Sequence, residues 1–296
     1  EIPQPKSEGK YFYGLGTKSD ELYEQAAGAP VYDYYGKGLQ LGPVKVRPGA
    51  DYRIRAEDNI FYQGQGEKQS DGVHSLYGTV RGELPLGGGQ HLLTAGGSVL
   101  REYFMEFDAS DHTDYRLNAG LKLNFVPFTF DVENIYEETE TRANTEFTDR
   151  VERSENSFHS LLEIPFASFF LENEITDFDV DYGLATNESF NHNLLTIYQR
   201  VGRELTPTSQ LLFEYGFINI DYTEVGDRDG DGHQYMVGLR GSWSEFIAYQ
   251  AWLGAQHRIY DQDIRADFNG IVFRGAIQYD RSEVSRFTLQ GDRTPQ

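Results

Sequence analysis

The stretch Arg116–Phe125, "RLNAGLKLNF", alternates without a break. Leu117, Ala119, Leu121, Leu123 and Phe125 fall on one face, and Arg116, Asn118, Gly120, Lys122 and Asn124 on the other. A period of two is the signature of a β-strand, because successive side chains leave a strand on opposite sides. The same period recurs in "LYGTVRGEL" (76–84), "FTFDVENIY" (128–136), "LLFEYGFINI" (211–220), "YMVGLRGSW" (235–243), "IAYQAWLGAQHR" (247–258) and "IVFRGAIQYD" (271–280). Counted this way, about twelve or thirteen strands follow residue 44.

The joins carry as much information as the strands. Short ones are expected at Leu86–Gln90, Val126–Pro127, Pro165–Ala167, Thr206–Ser209, Ser244–Glu245 and Arg281–Val284. Long polar ones lie between them, at 57–73, 105–113, 138–156, 178–189, 223–233 and 261–267. Strict alternation of short and long joins is the pattern of an outer-membrane barrel, with tight periplasmic turns and long outside loops. Alternation of side chains alone also fits a soluble sheet that buries its apolar face. Strand length favours the membrane, since a tilted strand needs about 9–11 residues to cross lipid and these segments reach it. Phe125, Phe128, Tyr136, Phe217, Trp243, Tyr249 and Tyr279 stand towards strand ends, where interfacial girdles form.

Composition agrees. Among 296 residues there are 20 Tyr, 20 Phe and 31 Gly against 2 Met and 2 Trp, a profile of strands and tight turns. Mean hydropathy is −0.57 and no apolar run is long enough for a helical span. A net charge of −21 counts against nucleic acid as a partner. The absence of cysteine excludes disulfides and thiolate metal sites. No H-E-x-x-H or G-x-S-x-G motif occurs, the seven histidines are dispersed, and no enzymatic activity is expected.

The expected fold is therefore an all-β, transmembrane, antiparallel up-and-down barrel over 44–296 in the bacterial outer membrane. Residues 1–43, rich in Gly and Tyr without sustained alternation, form a periplasmic N-terminal extension or a plug, or else a tail. An uneven strand count and the ending "FTLQGDRTPQ" lead to the expectation that further strands of the chain, or strands supplied by a partner, complete the barrel.

If the apolar faces meet lipid, the alternate residues line a lumen. These are Arg53, Arg55, Arg81, Arg116, Lys122, Asp131, Glu133, Glu172, Glu174, Glu214, Arg240, Gln250, Arg274 and Gln278. Their order along the chain suggests basic arcs flanking an acidic one, which would guide a charged solute by its field. The competing expectation is that opposite charges pair and fill the interior. A second candidate is "DRDGDG" (227–232), where Asp227, Asp229, Asp231 and Gly232 match the first half of a D-x-D-x-D-G calcium loop. The twelfth position of such a loop, a bidentate acid, is here Gly238, so an ordinary Asp/Gly turn competes with Ca²⁺.

"LGPVKVRPGADYRIRAEDNIFY" (41–62) resembles the opening of the β-barrel porins associated with exopolysaccharide gene clusters, with Asp58-Asn59-Ile60-Phe61 at the end of the first strand. The stretch from "DRDGDGHQYMVGLRGSW" through "AWLGAQHRIYDQDIRADFNGIVFRGAIQYDRSEVSRFTLQGDR" is similar to later motifs of that family, so the resemblance spans roughly 41–293. It implies a conduit for exopolysaccharide or another hydrophilic solute, set among membrane lipid and lipopolysaccharide and working with periplasmic export proteins. The alternative is a structural or surface-interaction outer-membrane protein with a filled barrel and acidic loops.

Overall fold

The computed structural model describes residues 38–57, 70–140, 151–223, 229–244, 246–260, 267–282 and 285–293. They form β1 (Leu39–Leu41), β2 (Val44–Glu57), β3 (Asp71–Leu86), β4 (His91–Phe104), β5 (His112–Asn124), β6 (Thr129–Thr139) and β7 (Arg153–Phe166). The second half holds β8 (Phe169–Tyr182), β9 (His192–Thr206), β10 (Ser209–Tyr222), β11 (Gly230–Ser242), β12 (Ile247–Tyr260), β13 (Phe268–Ser282) and β14 (Ser285–Arg293). Each strand pairs antiparallel with the next, giving one up-and-down sheet of fourteen strands among the described residues. The count exceeds the expected twelve or thirteen partly through β1, a three-residue strand that doubles back on the start of β2.

The two kinds of join stand at opposite ends of the sheet. Residues 87–90, 125–128, 167–168 and 207–208 make tight turns at one end, and 105–111 and 183–191 lie at the other. Gly87, Gly88 and Gly89 turn the chain between β3 and β4 with φ of +57°, +72° and +96°, a run of left-handed residues that side chains disfavour. Strands outlast the sequence limits at the long-join end, where β8 continues to Tyr182 and β11 already starts at Gly230. Of the expected extension or plug over 1–43, residues 1–37 lie outside the described residues, and Leu39–Leu41 form β1 of the sheet.

A 14-residue strand such as β8 is about 46 Å long, and at a tilt near 40° it still rises about 35 Å, more than the hydrocarbon of a bilayer. The faces are inverted relative to a soluble protein. Leu117, Phe213, Leu253 and Ile271 are 57–63% exposed, all on one face. Glu102, Glu172, Glu214, Arg240 and Gln250 on the other are at most 6% exposed. Burying carboxylates and guanidinium groups while exposing aliphatic and aromatic side chains is unfavourable in water and favourable when the outer solvent is lipid. The soluble reading of the alternation therefore fails on the distribution of exposure. Aromatic pairs fringe the apolar face at the tight-turn end: Phe125 with Phe128, Phe166 stacked on Phe169, and Trp243 stacked on Tyr249, with ring centroids 4.8–5.9 Å apart. Among the described residues no helix is long and apolar enough to cross a membrane.

Candidate functional site: the charged inner face

Register decides which side chains meet. Arg200 on β9 lies opposite Glu172 of β8 on one side and Glu214 of β10 on the other. Its Nη1 donates to Glu174 Oε2 at 2.6 Å and its Nε to Glu214 Oε2 at 2.7 Å, while Glu172 stands 3.7 Å away. Glu214 also accepts from Arg274 Nη2 of β13 at 2.5 and 2.6 Å, and from Gln234 Nε2 at 3.0 Å. Glu172 receives both terminal nitrogens of Arg240 from β11, whose Nε donates to Gln210 Oε1 at 2.7 Å. His159 of β7 ends the chain of contacts at Glu174, 3.2 Å away.

Two of these pairs skip strands. Arg274 and Glu214 lie three strands apart, as do Arg240 and Glu172, a separation of about 14 Å in a flat sheet. Contact across it requires the sheet to curve with this face concave. The polar face is thus the inside of the curve and the apolar face the outside.

All fourteen residues predicted to line the interior lie on this inner face by register. The structure joins Glu172, Glu174, Glu214, Arg240 and Arg274 into one network. Elsewhere it makes separate pairs: Arg55 with Glu102 at 2.6 Å, Arg116 with Glu137 at 2.9 Å and Arg53 with Asp51 at 2.6 Å. Arg81 approaches Glu83 at 3.6 Å, Lys122 is the register partner of Asp131, and Glu133 that of His159. Gln250 lies opposite Arg240, and Gln278 opposite Ala248. Among the described residues the charges pair rather than separate into basic and acidic arcs. Arg200 stands in the middle of the acidic run, and pairing replaces segregation because an unpaired buried charge is far costlier than a paired one.

Reading the sequence also passed over an apolar patch on the inner face. Phe170, Leu212, Met236, Trp252 and Val272 pack together beside the ion network. Inner glycines make room for the rings. A Cβ on Gly202 would lie 1.9 Å from Phe170 Cζ, and one on Gly238 would lie 2.3 Å from Trp252 Cε3. Guanidinium groups cap the same rings, Arg240 over Phe170 at 5.2 Å and Arg274 over Trp252 at 4.8 Å. Each ring is held flat between a glycine backbone and an arginine. The signal for this patch was parity: Gln250, Trp252, Gly254 and Gln256 share one face.

The candidate calcium residues divide. Asp227 lies outside the described residues. Asp231 is already within β11, faces outward and accepts from Asn219 Nδ2 at 2.9 Å. Asp229 Oδ1 accepts the backbone N–H of Tyr222 at 2.7 Å, from the last residue of β10. That bond recurs. Phe104 N–H donates to Asp111 at 2.8 Å, Tyr182 N–H to Asn191 at 2.8 Å and Tyr260 N–H to Asp267 at 3.2 Å. In all four an aromatic residue ends the outgoing strand, and an Asp or Asn immediately before the returning strand latches it. Gly238, at the twelfth position from Asp227, is the seat of the Trp252 ring. Among the described residues no cluster of three metal-ligating side chains forms. Replacing Asp229 with alanine is expected to destabilise by about 1 kcal/mol through loss of this bond, while Asp229→Asn, which copies Asn191, leaves stability unchanged. The urea midpoint in detergent measures both, and a loss in the Asn variant equal to that in the Ala variant would refute the latch.

No family model and no curated protein matches this chain. Among solved structures, an outer membrane channel from Pseudomonas putida F1 is similar at 12% identity over 88% of this chain and 98% of that one, with a TM-score of 0.44. OmpT of Vibrio cholerae expressed in the outer membrane gives 9% identity over 81% and 98%, with a TM-score of 0.43. Its in-vitro folded form gives 7% over 82% and 98%, with a TM-score of 0.41. Strand length, alternating joins, inverted faces and a concave polar interior converge on one architecture. The chain is an up-and-down β-barrel protein of the bacterial outer membrane.

Proposed function

We propose that this protein is an outer-membrane channel that passes hydrophilic solutes, exopolysaccharide in particular, along its charged inner face. The observation that carries the reading is the placement of Arg, Glu and Gln on the concave face opposite a lipid-facing apolar belt. A path lined by fixed charges and carboxamides replaces the hydrogen bonds a polar solute loses on leaving water. The polysaccharide assignment rests on the resemblance over 41–293, which also supports periplasmic export proteins and lipopolysaccharide as partners. Transport of this kind needs no covalent chemistry. Glu172 and Glu174, the nearest approach to an acid–base pair, are both engaged by arginines.

Purified protein in planar bilayers is expected to conduct ions, with conductance reduced when polysaccharide is added on one side. No conductance, even after deletion of residues 1–40, would sink the channel. Conductance indifferent to any polysaccharide would remove the substrate and leave the channel standing. A filled, structural barrel is the second reading, favoured by the close packing of the Arg200 network against Trp252 and Leu212. It requires the silent bilayer.

A further inference from the structure

The outward face of the sheet is apolar along most of its middle, yet Asn173 on β8 and Gln199 on β9 interrupt it side by side as register partners. Outward along β8 come Phe169, Leu171, Asn173 and Ile175, and then Asp177. Outward along β9 come Leu195, Ile197, Gln199 and Val201, and then Arg203. Each carboxamide is four residues, about 13 Å of strand, from the nearest outward charge on its own strand. Both therefore lie near mid-depth of the belt.

Hydrocarbon offers no hydrogen-bond partner at that depth, and an unsatisfied polar group there costs several kcal/mol. Neighbouring outward polar groups find partners within the chain: Tyr215 Oη meets His233 Nδ1 at 3.0 Å, and Asn134 Nδ2 donates to Asn156 Oδ1 at 2.9 Å. The side chains of Asn173 and Gln199 make no hydrogen bond among the described residues. Even a bond between them would use one donor and one acceptor and leave the remaining donors and lone pairs towards lipid. Such groups belong against protein.

We propose that the outward face of β8 and β9 is a seam on which a second copy of this chain packs within the membrane, the carboxamides bonding to their own counterparts. A carboxamide donates and accepts equally, so two copies related by a two-fold axis complement each other without any new chemistry. A charged partner would find no counter-ion at this depth. Around the pair, Phe166, Phe169, Val201 and Phe213 present 41–57% of their surface outward, a large apolar surround for the polar centre. The inference is independent of conductance, since a filled barrel would pair as readily as an open one.

The chain has no cysteine, so single introduced thiols report contact without background. Leu171→Cys and Val201→Cys, oxidised in native outer membranes, are expected to give a species of twice the 33.8 kDa chain mass. Val80→Cys, on the outward face of β3, is expected to give none. Adding Asn173→Leu and Gln199→Leu to Val201→Cys is expected to abolish the doubled species while the barrel keeps its heat-modifiable mobility. The seam is overturned if neither single thiol self-crosslinks, if Val80→Cys does so equally, if the crosslinked product contains a different protein, or if the double leucine variant crosslinks undiminished.

Discussion

Arg200→Leu is expected to lower stability by about 3–5 kcal/mol, because it removes the cation that three buried carboxylates share and deprives Glu174 of its arginine. Arg200 is 6% exposed at its side chain, and Glu214, Glu172 and Glu174 are 0%, 2% and 8% exposed. Replacement by a residue of similar size keeps the volume and removes only the charge and its donors. Arg274 remains for Glu214, and Arg240 for Glu172, whereas among the described residues Glu174 retains His159. Adding Glu174→Gln should therefore recover more stability than adding Glu172→Gln. Urea or guanidinium unfolding in detergent, followed by the shift of the folded band, measures the series. A loss below about 1 kcal/mol would mean that water screens the network as it does surface pairs. That result would also strengthen the open-channel reading.

Gly238→Val should disrupt the same region by a different route. Its Cβ would overlap the Trp252 ring at 2.3 Å, and the ring cannot retreat because Arg274 lies 4.8 Å above it. Displacing Arg274 would in turn loosen its bonds to Glu214. Overpacking costs about 1–3 kcal/mol and more where neighbours are fixed, so the upper part of that range is expected. Trp252→Ala alone should also destabilise, by removing the ring and leaving a cavity. Together the two changes should cost clearly less than their sum, since the alanine vacates the space that valine needs. Strict additivity in that double-mutant cycle would show that the glycine is not there to seat the ring.

Most of the architecture was readable from the sequence, because a strand's period of two survives any choice of solvent. Gly87–Gly89 and Thr206–Ser209 marked turns as plainly as "RLNAGLKLNF" marked a strand. Which face points inward was not decided by alternation, since Leu117 outward in lipid and Leu117 inward in water produce the same letters. Exposure settled it. The ion network was half legible: Glu172, Glu174, Glu214, Arg240 and Arg274 were placed by parity. Arg200, which ties them together, was not, although Leu195, Ile197 and Val201 around it fix its face. The pairings themselves follow from register and curvature, and no local window contains either. "DRDGDG" shows a short-range spacing that suits a metal, whereas the bond Asp229 makes reaches back to Tyr222, is one of four alike, and is not visible in any such window.

Those four latches have a consequence for how this surface can change over time. Each closes its connection at the base, joining the final aromatic of one strand to the residue that opens the next. The latch is one of several ties at that level, since Met105 N–H also donates to the Gly72 carbonyl, Glu106 and Phe107 N–H to the Asp71 carboxylate, and Gly183 N–H to the Glu152 carbonyl. Bases clamped in this way, by a backbone N–H and a short Asp or Asn side chain, fix where each pair of strands parts without using the identity of the residues beyond.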